Sequence, residues 1–435
     1  MITENSLHQN NMDDVKLFGL PAEQGRWLLI PLGIVVLLCQ GAVYSWSILR
    51  TPLQATLKFG ATDSLLPFAT MLVVFSVLMP LTSNIIDRFD PRRVCLIGAF
   101  ITALGYILSG FADSIFTLIF TYGIIAGLGV SLIYGVPLAI VAKWFPDEQA
   151  LTVATTAIGF GLSPLITAPI TSALAPVDGA EGWRNVLIIF GIVFSLILVV
   201  MAFVLKYPPE DWQPKGWNPP SNSWLIRTSR GVAPNTPIWE TRVFWALWLC
   251  FAIATFTGLT AMGIAWQVAE EMIKVNRANI AWNIALFAVF NCLGRPCFGA
   301  IAELFTPKRS AIACFVLLLI ASLIMINAKA GSAFGYQFAF CLIMLSLGGW
   351  LAIAPAATQT LFHPDDYAKN YSIVFTAFGA GALLGAVTAG RIRDLLGSYT
   401  HFFSVTAGLA VVGILLTIFL LKPRPKKRSA AIGML

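Results

Sequence analysis

Apolar residues dominate this chain in long runs separated by short polar breaks. Twelve runs stand out, at 27–49, 64–86, 94–111, 116–142, 151–173, 185–205, 243–269, 279–302, 310–328, 333–361, 371–390 and 401–421. At about 1.5 Å per residue, some 20 helical residues cross the roughly 30 Å hydrocarbon core of a bilayer. The pattern predicts an all-α membrane protein of twelve transmembrane helices.

The polar breaks divide the chain. Residues 1–26 form a tail of mixed charge that runs straight into the first span, unlike a cleaved signal peptide. Spans one to six fill 27–206 and spans seven to twelve fill 243–421. Between them, 207–242 holds seven prolines (208, 209, 214, 219, 220, 234 and 237) and several polar residues. That segment cannot be helical throughout and is too polar to span, so it reads as a linker. A basic tail occupies 422–435.

The two halves repeat. Arg26-Trp27 before the first span matches Arg242-Val243-Phe244-Trp245 before the seventh, 216 residues later. Asp87-Arg88-Phe89-Asp90-Pro91-Arg92-Arg93 matches Glu303-Leu304-Phe305-Thr306-Pro307-Lys308-Arg309 at the same offset, and Phe145-Pro146-Asp147 matches His363-Pro364-Asp365 at 218. The fold class expected is therefore two six-helix pseudo-repeats. Acids, prolines and cations at such turns suit either topology signalling or a gate between helices, which makes Asp87, Arg88, Arg92, Arg93, Glu303, Lys308 and Arg309 candidate gating residues.

Composition supports this class and narrows it. Hydrophobic residues make up 57% of the chain and charged residues 11%, with a mean hydropathy of +0.79. The net charge of +7 marks topology rather than nucleic acid, because 19 of the 28 Lys and Arg fall on the side of both termini and only 8 on the other. By the positive-inside rule both termini are expected in the cytoplasm. All seven cysteines fall within spans without a CxxC pair, which implies packing rather than a disulfide framework or metal site. There is no P-loop and no nucleophile with a base, and His8, His363 and His401 lie in the tail or at loops and helix ends. No cofactor, metal or catalytic function is expected.

One residue breaks the apolar rule. Arg295 precedes Glu303 by eight residues, about 12 Å along the helix, too deep to be an ordinary end residue. A cation near the bilayer centre costs at least about 2.5 to 3.5 kcal/mol and so needs an anion or a wet cavity. A buried ion pair is the plain alternative, but no Asp or Glu falls well inside a predicted span. The guanidinium fork binds a carboxylate through two parallel hydrogen bonds, which points to a small organic anion. Asn291 lies one turn away on the same face. Tyr44 and Tyr134 lie within spans, where each can donate a hydrogen bond while its ring packs.

Val43-Tyr44-Ser45-Trp46, Ile133-Tyr134-Gly135, Lys143-Trp144-Phe145-Pro146-Asp147, Pro208-Pro209-Glu210-Asp211-Trp212, Asn291 with Arg295-Pro296, and Asn370-Tyr371 together resemble the oxalate/formate antiporter family of the major facilitator superfamily. That family is bacterial and archaeal and is related to the monocarboxylate transporters. The resemblance implies the superfamily fold, a bacterial-type cytoplasmic membrane, Arg295 as the ligand of the substrate carboxylate, and Tyr44 and Tyr134 as lining. Its departures also inform. The family's oxalate exchanger has a second cation, a helix-11 lysine, where this chain has Phe378, and its polar or aromatic cage positions appear here as Val43, Phe160, Leu347 and Leu351. One cation in an oilier pocket suits one carboxylate with an apolar remainder. Monocarboxylate transporters commonly place an aspartate where this chain has Asn291, so proton symport and anion exchange both stay open. Glu148-Gln149 replaces a usual basic pair and Asp90 an expected glycine, which implies altered gating contacts.

The resulting expectation is a secondary carrier of a small monocarboxylate such as lactate, pyruvate, formate or a short or aromatic acid, working by rocking of the two halves. Arg295 would hold the carboxylate, Tyr44, Tyr134 and Asn291 would orient it, and Phe160, Leu347, Trp350, Leu351 and Phe378 would shape the apolar end. Its partners are the substrate, a co-transported proton in the symport case, and the bilayer, with no nucleic acid; family analogy allows a monomer. The alternatives are a dicarboxylate exchanger, an exporter of amphipathic compounds, and a carboxylate sensor, although the chain has no sizeable soluble output domain.

Overall fold

The computed structural model describes residues 15–175, 181–209, 212–215, 217, 237–363 and 366–421. Residues 1–14, most of the expected linker and the basic tail 422–435 lie outside the described residues. Among the described residues a short hairpin, β1 (Lys16–Leu17) and β2 (Leu20–Pro21), precedes twelve helices long and apolar enough to cross a membrane. They are α1 (Ala22–Leu57), α2 (Ala61–Arg88), α3 (Pro91–Gly110), α4 (Ile115–Trp144), α5 (Gln149–Leu174), α6 (Gly182–Val204), α7 (Arg242–Ile273), α8 (Arg277–Leu304), α9 (Pro307–Ile326), α10 (Ala333–Leu361), α11 (Tyr367–Leu396) and α12 (Thr400–Phe419). Because successive helices reverse direction, the start of α1 and the end of α12 share one end of the bundle, here called the near end. The α1–α2, α7–α8 and α11–α12 turns lie at the far end.

Local chemistry fixes several boundaries. Asp90 caps α3 by accepting from the Arg92 backbone N–H, and Thr306 caps α9 by accepting from that of Arg309. Each is followed by a proline whose fixed φ and missing N–H suit the first helical position. Asp90, where a glycine was expected, therefore serves as a helix cap. Helices α1 and α7 both stop at a left-handed lysine, Lys58 (φ 56°) and Lys274 (φ 63°), which stand 216 residues apart. The repeat thus extends to backbone conformation.

Two predicted boundaries move. The first span ends at Leu57 rather than 49, which carries Arg50 into the helix, fully buried. The N-terminal tail is structured from the hairpin onward. Leu17 is buried, and Arg26 donates to both carboxylate oxygens of Asp147 (2.7 and 2.8 Å) and to the Trp144 carbonyl (3.1 Å). Trp144 packs at a tilt against Trp212 with centroids 4.7 Å apart and donates to the Lys206 carbonyl. The Trp-Phe-Pro-Asp and Pro-Pro-x-x-Trp stretches thereby meet in one knot that ties the start of the linker to the end of α4.

Across the middle of the chain, α2 packs along α11 and α5 along α8. Hydrogen bonds that join the first six helices to the last six cluster at the far end and at the level of Ala157 and Ile158. At the far end, Gln267 of α7 donates to the Ser47 carbonyl of α1 (2.9 Å). Asp394 of α11 accepts from the Ala61 and Thr62 backbone N–H groups (2.7 and 3.0 Å) and from the Thr62 hydroxyl (2.6 Å), capping α2 from the other half.

Candidate substrate site

Arg295 is 8% exposed and donates from Nη1 to the Ala157 carbonyl of α5 at 2.7 Å. Its Nε has no hydrogen-bond partner, and among the described residues no carboxylate pairs with it. Asn291, one turn away, is fully buried with both Oδ1 and Nδ2 unpartnered. Buried polar groups are ordinarily satisfied, so orphans beside a cation are unspent binding capacity. Glycine is what lets α5 approach. A Cβ on Gly161 would lie 2.7 Å from Asn291 Oδ1, 3.3 Å from Cys292 Sγ and 3.6 Å from Arg295 Nη2.

An aromatic layer adjoins this cluster. Tyr44 lies in a 3-10 stretch of α1, Gly41–Ser45, where the chain passes against the Phe160 carbonyl with no room for a side chain at Gly41. The Tyr44 ring meets Phe160 edge-on at 5.2 Å, and its hydroxyl lies within electrostatic reach of Arg295 and Tyr134. Tyr134 meets Phe160 at 5.4 Å and Phe75 at 5.0 Å; Phe75 in turn meets Phe375 at 5.5 Å and Phe378 at 6.0 Å. The structure therefore brings Arg295, Asn291, Tyr44, Tyr134, Phe160 and Phe378 into one connected region.

The remaining candidates sit further out. Trp350 lies between Phe251 of α7 (6.1 Å) and Phe315 of α9 (5.3 Å), and Leu347 fills the space left by Gly258 of α7. Trp350 is linked to the layer by Phe251, which is 6.2 Å from Phe375 and 6.5 Å from Phe378. Leu351 is half-buried against the core.

Sequence reasoning missed Phe75, Phe375 and Phe251 and assigned Tyr371 no role, although Tyr371 lies within electrostatic reach of Tyr134 and Arg295. The repeat carried the missing signal for one of them, since Phe75 stands 216 residues before Asn291.

Of the gating candidates, Arg92 packs over the Phe203 ring of α6 at 4.0 Å, and Lys308 donates to the Ile418 carbonyl of α12 at 2.8 Å. Each braces its own half to that half's last helix. A cation also suits the carbonyl-rich end of α12. Arg88, Arg93, Glu303 and Arg309 are exposed, and the Asp87 side chain lies outside the described residues.

The Major Facilitator Superfamily model matches residues 32–272 and 254–434. The chain is 22% identical to an oxalate:formate antiporter of Oxalobacter formigenes over 94% of this chain and 95% of that one. It is 25% identical to monocarboxylate transporter 3 of Rattus norvegicus over 91% and 79% respectively. In fold it resembles a bacterial homolog of the human lysosomal transporter Spinster in an inward-facing, unoccupied conformation, with a TM-score of 0.69 at 16% identity and coverage of 92% and 99%.

Proposed function

This chain belongs to the major facilitator superfamily, and from that premise we propose that it carries one small monocarboxylate at a time, held by Arg295. It is an integral, multi-pass membrane protein and a secondary transporter. The observation that carries the substrate reading is the deep Arg295 guanidinium, which among the described residues has no carboxylate partner and an unpartnered Nε, next to an amide with two unspent polar atoms and a layer of aromatic rings. The fork takes the carboxylate through paired charge-assisted bonds. Asn291 and the Tyr44 and Tyr134 hydroxyls orient it, and Phe75, Phe160 and Phe378 receive an apolar remainder. The similar oxalate:formate antiporter and monocarboxylate transporter support a carboxylate; the phenylalanine at 378 supports one carboxylate over two.

Transport proceeds by rocking of the halves about this layer, in symport with a proton or in exchange for a second anion. The bias of Lys and Arg assigns the near end, with both termini, to the cytoplasm. The present state is closed at the far end.

Thermal stabilisation of purified protein by a panel of mono- and dicarboxylates tests the reading. A ligand of the folded state at 100 times its Kd adds about 2.7 kcal/mol by mass action. Lactate, pyruvate or benzoate is expected to raise Tm in wild type and to lose most of that effect in Arg295→Ala. Preference for oxalate, or equal stabilisation of the variant, would overturn it.

A further inference from the structure

Arg50 is the other deep cation, and the substrate site does not use it. It is fully buried, with all three guanidinium nitrogens engaged. Nε donates to Ser64 Oγ (3.1 Å), Nη1 to the Gly263 carbonyl (3.1 Å) and Gln267 Oε1 (3.0 Å), and Nη2 to the Ala61 carbonyl (3.1 Å) and the Tyr399 hydroxyl (3.2 Å). Every one of these acceptors is neutral. A buried charge costs several kcal/mol, and removing some of its partners exposes that cost.

The acceptors divide between the halves. Ser64 and Ala61 belong to α2, whereas Gly263 and Gln267 belong to α7 and Tyr399 to the α11–α12 turn. Separation of the halves at the far end removes three of the five. A carboxylate linked to Arg50 leaves by the same motion. Arg50 bonds the oxygen of the Ala61–Thr62 peptide, and the N–H of that peptide bonds Asp394. Cation and carboxylate are thus coupled through one peptide group, each polarising it toward the other. Asp394 travels with α11, so an open far end leaves Arg50 facing water without its second set of acceptors and without the carboxylate coupled to it through that peptide.

We propose that Arg50 is a second anion-binding residue, spent on the gate in this closed state and free to take the substrate carboxylate at the mouth when the far end opens. The inference rests on the transport reading above. Arg50 and Tyr44 are six residues apart on α1, about 9 Å along the helix. A carboxylate released by Arg50 would therefore descend a short distance to the Tyr44–Arg295 cluster. Closure of the gate would return the guanidinium to its neutral acceptors and expel the anion inward.

The test is modification of Arg50 by hydroxyphenylglyoxal in detergent-purified protein, quantified by peptide mass spectrometry. Wild type, Arg295→Ala and the bulkier Arg295→Gln are compared, each with pyruvate, benzoate or potassium chloride at equal ionic strength. Asp394→Asn, which weakens the gate, is expected to raise the rate of Arg50 modification. At ten times its Kd a carboxylate leaves about one site in eleven free, so labelling should slow roughly tenfold, and this protection should persist in both Arg295 variants. Chloride should not reproduce it.

Several results would overturn the proposal. An Arg50 that is never modified, even in Asp394→Asn, does not reach water. Protection seen only with Arg295 intact would mean that the central site closes the gate from a distance, which leaves the transport reading standing. The proposal fails in the same way, with transport intact, if carboxylates stabilise wild type thermally yet protect Arg50 in no protein. Neither stabilisation nor protection would sink both readings together.

Discussion

Gly161→Ala separates packing from binding at the candidate site. The added methyl would lie 2.7 Å from Asn291 Oδ1, and restoring an ordinary contact of about 3.5 Å requires that oxygen to retreat by roughly 0.8 Å. Neither polar atom of Asn291 has a protein partner, so rotating the amide breaks no hydrogen bond. The overpacking cost then sits at the low end of the usual range, about 1 kcal/mol. Replacing glycine by alanine inside a helix returns about the same amount. Thermal stability is therefore expected to stay near wild type. Ligand binding is not. If Asn291 donates to the substrate carboxylate, its displacement forfeits a charged hydrogen bond of about 1.5 to 3 kcal/mol, which is roughly ten- to 150-fold in Kd. Thermal unfolding and isothermal titration with a stabilising monocarboxylate read the two quantities separately. Unchanged affinity in a folded variant would remove Asn291 from the ligand's contacts. A stability loss beyond about 3 kcal/mol would refute the packing arithmetic.

Two further outcomes follow from other parts of the molecule. Phe378→Lys places an amine among Phe75, Phe251 and Phe375, so Tm should fall without ligand and recover with oxalate, shifting preference toward dicarboxylates; no gain in oxalate binding by titration counts against the assignment of that position. At the near end, partial burial alone would raise the Asp147 carboxyl, but the hydrogen bonds and charge of Arg26, with backbone N–H donors, outweigh it and hold the group below its ordinary 3.8. A depressed carboxyl stabilises the fold above its unfolded value and loses that contribution as pH falls through the folded one. Asp147→Asn should therefore flatten the acid-side decline of Tm below about pH 4, and curves that remain parallel from pH 6 to pH 3 would contradict the Arg26–Asp147 account.

What could be read from the sequence depended on how local the cause was. Twelve spans were legible because helix formation in lipid is dictated by runs of apolar residues alone. Arg295 was legible because a cation in the middle of such a run has no local explanation. Arg50 was not, for the opposite reason: it closes an apolar run and so resembles an ordinary helix end, while its acceptors come from α2, α7 and the α11–α12 turn, far away in sequence. Arg92 and Lys308 were legible as a repeated pair, but their contacts, a ring on α6 and a carbonyl on α12, depend on tertiary packing. Trp350 was expected at the apolar end of the pocket on residue type, and its place between Phe251 and Phe315 is set by neighbours that no spacing announces.

The repeat also bears on why one half would carry the chemistry. At an offset of 216, Phe75, Met79 and Pro80 of α2 correspond to Asn291, Arg295 and Pro296 of α8; at 218, Phe160-Gly161 of α5 corresponds to Phe378-Gly379 of α11. The scaffold positions are kept. Gly161 admits α8 to α5 as Gly379 admits α2 to α11, where a side chain would strike Ser76, and both phenylalanines face the shared aromatic layer through Phe75. The divergence falls on the two positions where the α8 copy is polar. In the proposed mechanism, α8 supplies the charge and the amide while its counterpart α2 supplies only a ring and a thioether. A ligand enclosed by that layer would meet a cation on the α8 side and no second cation from the corresponding positions of α2. A second carboxylate placed there would be desolvated without a cationic partner, a cost of several kcal/mol that one guanidinium cannot offset, and in the proposed mechanism this asymmetry would favour monocarboxylates.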